Sequence, residues 1–373
     1  MATYAVAIMT LLPLPHRLRA AVAIALLALC GGSGHAQAPA PPAASFAGQI
    51  AALSEPEGYF DTDNLISNEQ GYLTVLQDIE RAGFRGGAYV GVGPDQNFSY
   101  IAAARPDVAF IIDVRRDNLL LHLLFKALFS LARTRVEYLA LLCGREVPKE
   151  LDLWRSRNVD ALTGYVDTAP ALDRAAIDAL RARVTERMRS FGVSLSGTDI
   201  QTVDRFHRRF IEAALGLRFQ SLGRPPQLHY PTLRQLILEV DDAGHQRNYL
   251  ATEDGFQFVK SLEARDRVIP VIGNLSGESA MIAIGRWLSE HNLRLSVFYA
   301  SNVEFYLFRE GSFARFVDNL SRMPRGDRAL IVRSVFGGGG GFGGGSVSQT
   351  QGVPELVDGF SRGKYHQYWE LVR

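Results

Sequence analysis

Residues 86–118, GGAYVGVGPDQNFSYIAAARPDVAFIIDVRRDN, decide the fold. The apolar run at 88–92 is typical of a buried strand, and the glycines and polar residues behind it lead into a predicted short helix over 98–104. A second apolar strand is predicted over 108–112. Alternation of strands and helices is the repeating pattern of a parallel sheet covered by helices. The stretch therefore predicts an α/β protein with a doubly wound, mostly parallel, Rossmann-like sheet.

The glycine turn and the acid behind the second strand are spaced as a nucleotide site requires. Gly91 and Gly93 would let backbone N–H groups approach a ligand closely at the start of a helix. Asp113 ends the second strand close to the ~20 residues from the turn at which an acid reaches a ribose hydroxyl. Position 96 is Gln and no third glycine follows, which argues against the dinucleotide fingerprint of NAD or FAD proteins.

This segment resembles motif I and the following acidic strand end of class I S-adenosylmethionine-dependent methyltransferases. The resemblance implies a methyltransferase-like sheet and S-adenosylmethionine as cofactor, with the glycine turn cradling it and the acid holding its ribose. The stretches at 269–277 and 295–308 are similar to those of an uncharacterised bacterial protein family with a methyltransferase-like core. The predicted cofactor-binding residues are Gly91, Gly93, Asp95, Gln96, Asn97, Asp113 and Arg115.

Composition excludes several classes of protein. The chain has 373 residues, of which 47% are hydrophobic and 21% charged, as in a globular protein of one large or two ordinary domains. Its net charge of +1 provides no overall field toward nucleic acid or anionic lipid, so we expect no nucleic-acid partner. Two cysteines, Cys30 and Cys143, exclude a disulfide framework and a Cys-rich zinc site, and we predict no metal site.

Residues 1–38 have the order of a secretory signal peptide. Arg17 and Arg19 precede ten apolar residues at 21–30, and small residues follow. Because ten apolar residues are too few to span a bilayer, we predict a periplasmic or otherwise exported product, which stays membrane-anchored if the signal is not cleaved. Cys30 before Gly-Gly-Ser resembles a bacterial lipoprotein site, so a lipid there is a second route to the membrane. Export conflicts with S-adenosylmethionine, which is made in the cytosol.

Behind the signal, the sequence predicts a linker and loop over 39–64 and a single domain over 65–373. Strand patterns almost vanish at about 144–231, where a third strand is expected, and this helical insertion is predicted to cap the strand ends. The run GGGGGFGGG belongs to a predicted flexible loop over 337–350, at the tip of a hairpin. It lacks the lysine of a phosphate-binding loop.

Several polar residues have two interpretations. Asn68-Glu69-Gln70 is predicted to begin a helix that runs to Arg81, where Asn68 and Glu69 would cap the helix or contact a ligand. Asp117 or Asn118 is the predicted N-cap of the long apolar helix that follows, again with ligand binding as the alternative. His122 within that helix is interpreted as a hydrogen-bonded core histidine.

Two later strands also end in polar residues, and parallel sheets bind their ligands outside the carboxyl ends of their strands. A strand at 268–272 leads into Asn274. In many of the methyltransferases that the sequence resembles, the end of the fourth strand carries the residue that handles the accepting atom, and Asn274 falls at that place. Asn274 is therefore the predicted catalytic residue. A strand at 293–299 leads into Ser301. The predicted substrate-binding residues are Ser276, Ser301, Asn302 and Glu304, with helix capping as the alternative for the last two.

The sequence thus supports two main functions. The first is an S-adenosylmethionine-dependent methyltransferase-like protein whose substrate is unknown. Aligning donor and acceptor can supply roughly 7–11 kcal/mol of a barrier, so the lack of an acid–base motif does not exclude an enzyme. The alternative is an exported, non-catalytic Rossmann-like protein of the cell envelope that binds a small ligand. A third interpretation is an exported structural or interaction protein in which the crevice is empty and Gly91 and Gly93 serve only the tight turn.

Overall fold

The computed structural model describes residues 45–225, 227–336 and 345–372. A six-stranded sheet organises this part of the chain, and its strands lie in the order β3-β2-β1-β4-β5-β6. Five strands are parallel, and the last is antiparallel to its neighbour. The strands are β1 (Ala88–Val92), β2 (Val108–Asp113), β3 (Val268–Ile272), β4 (Leu295–Ser301), β5 (Arg325–Phe336) and β6 (Ser346–Gly352). The predicted α/β fold with a mostly parallel sheet is confirmed.

All five residues of β1 and all five of β3 are buried, as in parallel strands with both faces covered. The strand order reverses between β1 and β4, which is where doubly wound proteins place their ligands. The helices are α1 (Phe46–Leu53), α2 (Leu76–Ala82), α3 (Gln96–Ala104), α4 (Arg116–Leu131), α5 (Arg135–Leu142), α6 (Leu151–Trp154), α7 (Val159–Thr168), α8 (Arg174–Ser190), α9 (Gly197–Ala213), α10 (Leu233–Leu238), α11 (Glu253–Ala264), α12 (Ala280–Glu290), α13 (Val303–Arg309), α14 (Phe313–Ser321), α15 (Val353–Ser361) and α16 (Tyr368–Leu371).

Helix α4 joins the sheet to the rest of the core. It contacts β2, β3, α5, α8, α9 and α11. These neighbours explain its nearly continuous apolar sequence, since almost every face of the helix is covered. Leu123, Leu124 and Phe125 are fully buried, and burying each such side chain contributes roughly 1.5–3 kcal/mol.

In the predicted helical insertion between β2 and β3, the described residues form α6 to α9 and contain no sheet strand. Helices α8 and α9 pack on α4. The segment after α9 reaches the carboxyl edge of the sheet, where Thr62 pairs with Ser221 and the Asp61 carbonyl oxygen accepts a hydrogen bond from the Leu222 N–H. The insertion therefore meets the strand ends through residues 61–63.

Two predicted helix starts are wrong. Helix α2 begins at Leu76 and not at residues 68–70, because Gly71 adopts a left-handed conformation with a φ of 69° and the chain turns there. Helix α4 begins at Arg116, and Arg115 is its extended N-cap residue. Asp117 and Asn118 consequently lie inside the first turn, where they cannot cap the helix.

The predicted boundaries also need correction. Helix α1 lies within the predicted linker 39–64, yet Phe46, Ile50 and Leu53 are buried and α1 contacts β3 and α12. The domain therefore begins before residue 65. Strands β5 and β6 form the expected hairpin, but the predicted loop 337–350 is too long, because β6 begins at Ser346.

Other expectations fall outside the described residues, namely the signal peptide 1–38, the lipid on Cys30 and the glycine run 337–344. Chain contacts divide the protein into Met1–Ala40 and Pro41–Arg373. Among the described residues, none of the helices has the length and apolar character that crossing a membrane requires.

Candidate functional site

A buried carboxylate, Glu69, lies at the carboxyl ends of β4 and β5 and is 1% exposed. One of its oxygens accepts hydrogen bonds from Gln96 Nε2 and Tyr299 OH, both at 2.7 Å, and from the Ser334 hydroxyl. The other accepts a hydrogen bond from the Ser301 hydroxyl. All four donors are uncharged, so hydrogen bonds to neutral groups offset the cost of burying this carboxylate.

Local structure explains why these side chains meet. Tyr299 and Ser301 lie at the end of β4, where the register with β5 shifts between them and Ser301 has a φ of 51°, and both hydroxyl groups reach Glu69. Ser334 comes from β5, which lies next to β4. Gln96 is the first residue of α3, directly behind the turn that ends β1. Glu69 reaches this group from the turn before α2.

A small cavity lies beside Gln96. Its volume of about 10 Å³ is close to that which one water molecule occupies. Side chains of α10 form its apolar wall, and its polar lining consists of Ser67, Tyr72, Asp95, Gln96 and Asn248. Gln96 Oε1 is buried and has no hydrogen-bond partner. Burial raises the pKa of Asp95 to about 7, because its own backbone N–H is the only group that favours the charged form.

The turn after β1 contains two glycines with different surroundings. Protein atoms fill the space beside Gly91, whereas the space beside Gly93 is open. Asn97 donates to the carbonyl oxygens of Val92 and Pro94 at 2.9 and 2.7 Å, and it accepts a hydrogen bond from Tyr89 OH. A Cβ atom at Gly91 would lie 2.0 Å from Asn97 Oδ1, so this glycine makes room for the asparagine. Gly93 has a φ of 82°, and the nearest atom to a Cβ there would be 3.5 Å away.

His122 of α4 contacts the turn after β1. Its Nε2 lies 2.9 Å from the Gly93 carbonyl oxygen. Burial lowers the pKa of His122 to about 4, so the neutral ring donates its Nε2 proton to that oxygen. This contact is the hydrogen-bonded core histidine that the sequence predicts.

Asp113 is held by Arg115. Oδ1 of Asp113 accepts hydrogen bonds from the Arg115 backbone N–H at 2.9 Å and from Nε at 3.0 Å, while Oδ2 accepts one from Nη2 at 2.8 Å. The two side chains are 11% and 8% exposed. Arg115 also donates to the Thr62 carbonyl oxygen. The acid that the sequence assigns to a ribose is thus engaged within the protein.

A separate cleft of about 380 Å³ lies at the ends of β2 and β3. Asn274 and Glu55 line this cleft. The Glu55 carboxylate accepts hydrogen bonds from the backbone N–H groups of Asn274 and Ala280, at 2.6 and 3.1 Å, and from the Ser279 hydroxyl at 2.8 Å. Asn274 Oδ1 accepts the backbone and hydroxyl protons of Ser276. Glu55 consequently covers the first residue of α12.

Glu304 forms a buried ion pair with Arg333. Arg333 Nε lies 2.5 Å from Glu304 Oε2, and the two side chains are 2% and 1% exposed. Gln351 Oε1 accepts a further hydrogen bond from Arg333 at 3.0 Å. Asn302 stands at the N-cap position of α13, but its side chain makes no capping hydrogen bond.

The structure brings only some of the predicted site residues together. Gln96 and Ser301 meet through Glu69, and Asp95 lines the adjoining cavity. Asn274 follows the edge strand β3, and adjacent strands are about 4.8 Å apart, so it lies roughly 14 Å from the end of β4. The expectation that Asn274 occupies a fourth strand tip is wrong: β3 is the third strand along the chain because the insertion supplies none.

Sequence patterns do not single out several of the residues around Glu69 and the small cavity. Ser334 and Tyr299 sit in apolar strands, where single polar positions are unremarkable, and Asn248 follows a loop. Glu69 was a possible ligand contact with capping as the alternative. The described residues contain no cluster of three or more His, Cys, Asp or Glu that could hold a metal ion.

Fold and site together define a doubly wound α/β protein with buried polar groups at the carboxyl edge of its sheet. The chain matches the model of a family described as a domain of unknown function (DUF7790) over residues 64–164 and 229–353, and it belongs to that family. The matched segments contain all six strands, while the unmatched residues 165–228 fall in the helical insertion. No curated protein matches the chain.

Proposed function

We propose that this protein binds a small ligand at the carboxyl edge of its sheet, where the strand order reverses between β1 and β4. One observation carries the proposal: Glu69, Asp95 and Gln96 are buried side by side at this point, and no arginine, lysine or histidine of the described residues pairs with either carboxylate. Burying carboxylates without a cation costs stability. Proteins retain such costs mainly where function requires them.

We further propose the methyltransferase-like version of the doubly wound sheet as the finer description of the fold. The strand order with β1 at its centre, the left-handed Gly93 behind β1 and the acid at the end of β2 support it. Fold alone does not specify a reaction, so this proposal leaves the activity open.

The residues as they are arranged do not fit an S-adenosyl cofactor. Arg115 occupies both acceptor positions of Asp113 Oδ1 and one of Oδ2, so a ribose would have to share Oδ2 or displace Arg115. Asn97 fills the space above Gly91, so the turn offers a ligand only the region around Gly93. These two contacts favour the non-catalytic binding protein over the methyltransferase.

Methyl transfer remains the second candidate, and the open space beside Gly93 favours it. Isothermal titration calorimetry with S-adenosylmethionine and S-adenosylhomocysteine tests this candidate. Binding that is lost in Asp113→Ala would support it, since the acid must then exchange Arg115 for the ribose. Absence of heat with both compounds would reject it.

Native mass spectrometry of the purified protein tests the lead proposal, because it detects a ligand that co-purifies. We expect Glu69→Gln to lose that ligand, since a neutral amide cannot accept all four hydrogen bonds. The matched control is Glu80→Gln, which removes a surface carboxylate that pairs with Arg247. Equal ligand retention in both variants would refute a site at Glu69.

We also propose export, which the N-terminal sequence pattern supports. An exported protein would meet envelope ligands and not the cytosolic cofactor pool. The intact mass of the mature protein from a bacterial host measures the cleavage. Loss of about the first 36 to 38 residues would support export, and a full-length chain in the cytosolic fraction would contradict it.

A further inference from the structure

The cavity that Asp95 and Gln96 line has a hydrogen-bond acceptor to which no group in the described part of the chain donates. The Gln96 orientation is fixed because its Nε2 group donates to the acceptor-only Glu69 carboxylate, which turns Oε1 away from Glu69. Oε1 is buried without a partner, and Gln96 is 4% exposed. The Asp95 carboxylate is the second acceptor. Buried acceptors without a donor are uncommon in folded proteins, and a bound water or ion is one way in which they are satisfied.

The remaining polar groups of the cavity make hydrogen bonds to partners other than Asp95 and Gln96. Tyr72 OH donates to the Leu236 carbonyl oxygen at 2.8 Å and accepts from Asn248 Nδ2 at 2.9 Å. Asn248 Oδ1 accepts the Leu250 N–H. Ser67 Oγ accepts the Glu69 N–H at 3.1 Å. Within the described residues no group donates to Gln96 Oε1, and only its own backbone N–H donates to the Asp95 carboxylate, so an occupant of the cavity can supply the donors that both acceptors lack.

The surrounding charge is negative. Glu239 lies close to Tyr72, its Oε1 is buried without a hydrogen-bond partner in the described chain segments, and burial raises its pKa to about 7. Glu69 lies on the other side of Gln96. The ion pairs at this edge among the described residues, such as Arg115 with Asp113, involve other carboxylates. Hence the local field favours a positively charged occupant.

We infer that this cavity binds a small cation that donates N–H groups, namely the ammonium ion or the protonated primary amine of a larger ligand. A water molecule could donate to both free acceptors, but it would leave the charge of Asp95 uncompensated. An ammonium nitrogen supplies the donors and the charge, and it has the size of the water that the cavity admits. This inference rests on the proposed function and names the chemical class of one part of the ligand.

Binding should depend on pH through Asp95. The titratable groups around it are Glu69, Glu239, Tyr72, Tyr138 and Tyr249, and burial raises the pKa of each of these three tyrosines, so the phenols stay neutral. Near pH 8 the Asp95 carboxyl is ionised and should hold the cation. Near pH 5 it is protonated, and the affinity should fall at least tenfold.

Thermal unfolding of the full chain in chloride salts at equal ionic strength tests the inference. Ammonium and methylammonium donate N–H groups, whereas tetramethylammonium and sodium do not. We expect ammonium, which has the size of the water that the cavity admits, to raise Tm near pH 8 by roughly 2–4 °C at ten times the dissociation constant, and sodium and tetramethylammonium to leave Tm unchanged. Ammonium without methylammonium would identify the free ion as the ligand, and an effect of both fits the head of a primary amine.

Two variants separate this site from a general effect of salt. Asp95→Asn should abolish the shift. Glu263→Gln should retain it, because Glu263 is also a buried carboxylate whose pKa burial raises to about 7, but it lies beside Lys126 on another helix. Equal shifts with sodium, or a full shift in Asp95→Asn, would overturn the inference. A co-purified ligand that depends on Glu69 would then leave the proposed function standing.

Discussion

Asp95 is a residue whose burial costs the folded protein stability at neutral pH. Folding raises its pKa from 3.8 to about 7, so the penalty is absent below about pH 4 and grows as pH rises toward the folded value. We expect Asp95→Asn to raise the free energy of unfolding by about 2–4 kcal/mol near pH 8, and to change it by under about 0.5 kcal/mol near pH 4. Urea unfolding at both pH values measures this difference.

Asp199 provides a control of opposite sign. The Arg116 guanidinium and the Ser196 N–H outweigh burial and lower the pKa of Asp199. Its contribution to stability is therefore present above its unfolded pKa and is lost as the pH falls. Asp199→Asn should destabilise the protein near pH 8. Destabilisation by Asp95→Asn near pH 8 in a buffer without ammonium or amines would contradict an uncompensated charge on Asp95.

The buried pair of Glu304 and Arg333 leads to a second prediction at this scale. Removing one partner leaves an uncompensated buried charge, so Arg333→Met should lower the free energy of unfolding by about 3–5 kcal/mol. Replacing both residues, Glu304→Leu with Arg333→Met, should recover most of that loss. Chemical denaturation of the two variants checks this. No recovery in the double variant would show that the pair has a role beyond charge neutralisation.

At the scale of elements, helix α4 is the central packing unit of the core. Leu124 is fully buried within it, so Leu124→Ala should cost about 2–5 kcal/mol of stability by leaving a cavity. Leu153 of α6 is the matched control, because it is 59% exposed and its replacement by Ala should cost under about 0.5 kcal/mol. Thermal and urea unfolding compare the two. Similar losses would contradict the central position of α4.

The strands could be predicted because buried parallel strands are continuous apolar runs, as at 88–92 and 268–272. The candidate site could not, because its contacts join distant parts of the chain. Glu69 precedes a helix and looks like a cap, yet its partners Tyr299 and Ser334 lie 230 and 265 positions away. The spacing of residues along the chain predicts Asp113 at a strand end, but it does not indicate that Arg115 forms an ion pair with its carboxylate.

At the scale of the whole molecule, buried histidines and buried carboxylates act in opposite directions on stability. Burial lowers the pKa of His122 and His207 to about 4, so each contributes stability that is lost as pH falls from about 6.5 to about 4. Burial raises the pKa of Asp95, Glu239 and Glu263 to about 7, and their penalty shrinks over the same range. The two effects partly cancel.

Replacing one buried histidine should change how the free energy of unfolding depends on pH. His207→Gln leaves the candidate site intact, since His207 contacts the Leu141 carbonyl oxygen instead. Acidification from about pH 7 to about pH 4 should lower the free energy of unfolding of this variant less than that of the unmodified protein. The difference between the two losses should be roughly 3 kcal/mol. Urea unfolding at several pH values measures the slope. An unchanged slope would mean that His207 is not buried as a neutral ring.

The extent of the folded unit leads to the last prediction. The family match begins at residue 64, but α1 packs Phe46, Ile50 and Leu53 against the sheet, and residues 54–58 bind the ends of β2 and β3. At roughly 1.5–3 kcal/mol for each of the three side chains, α1 contributes an amount comparable with the ~5–15 kcal/mol stability of a typical domain. A chain that starts at residue 64 should therefore melt far below one that starts at residue 45. Circular dichroism compares them, and equal melting temperatures would show that the matched core folds without its first helix.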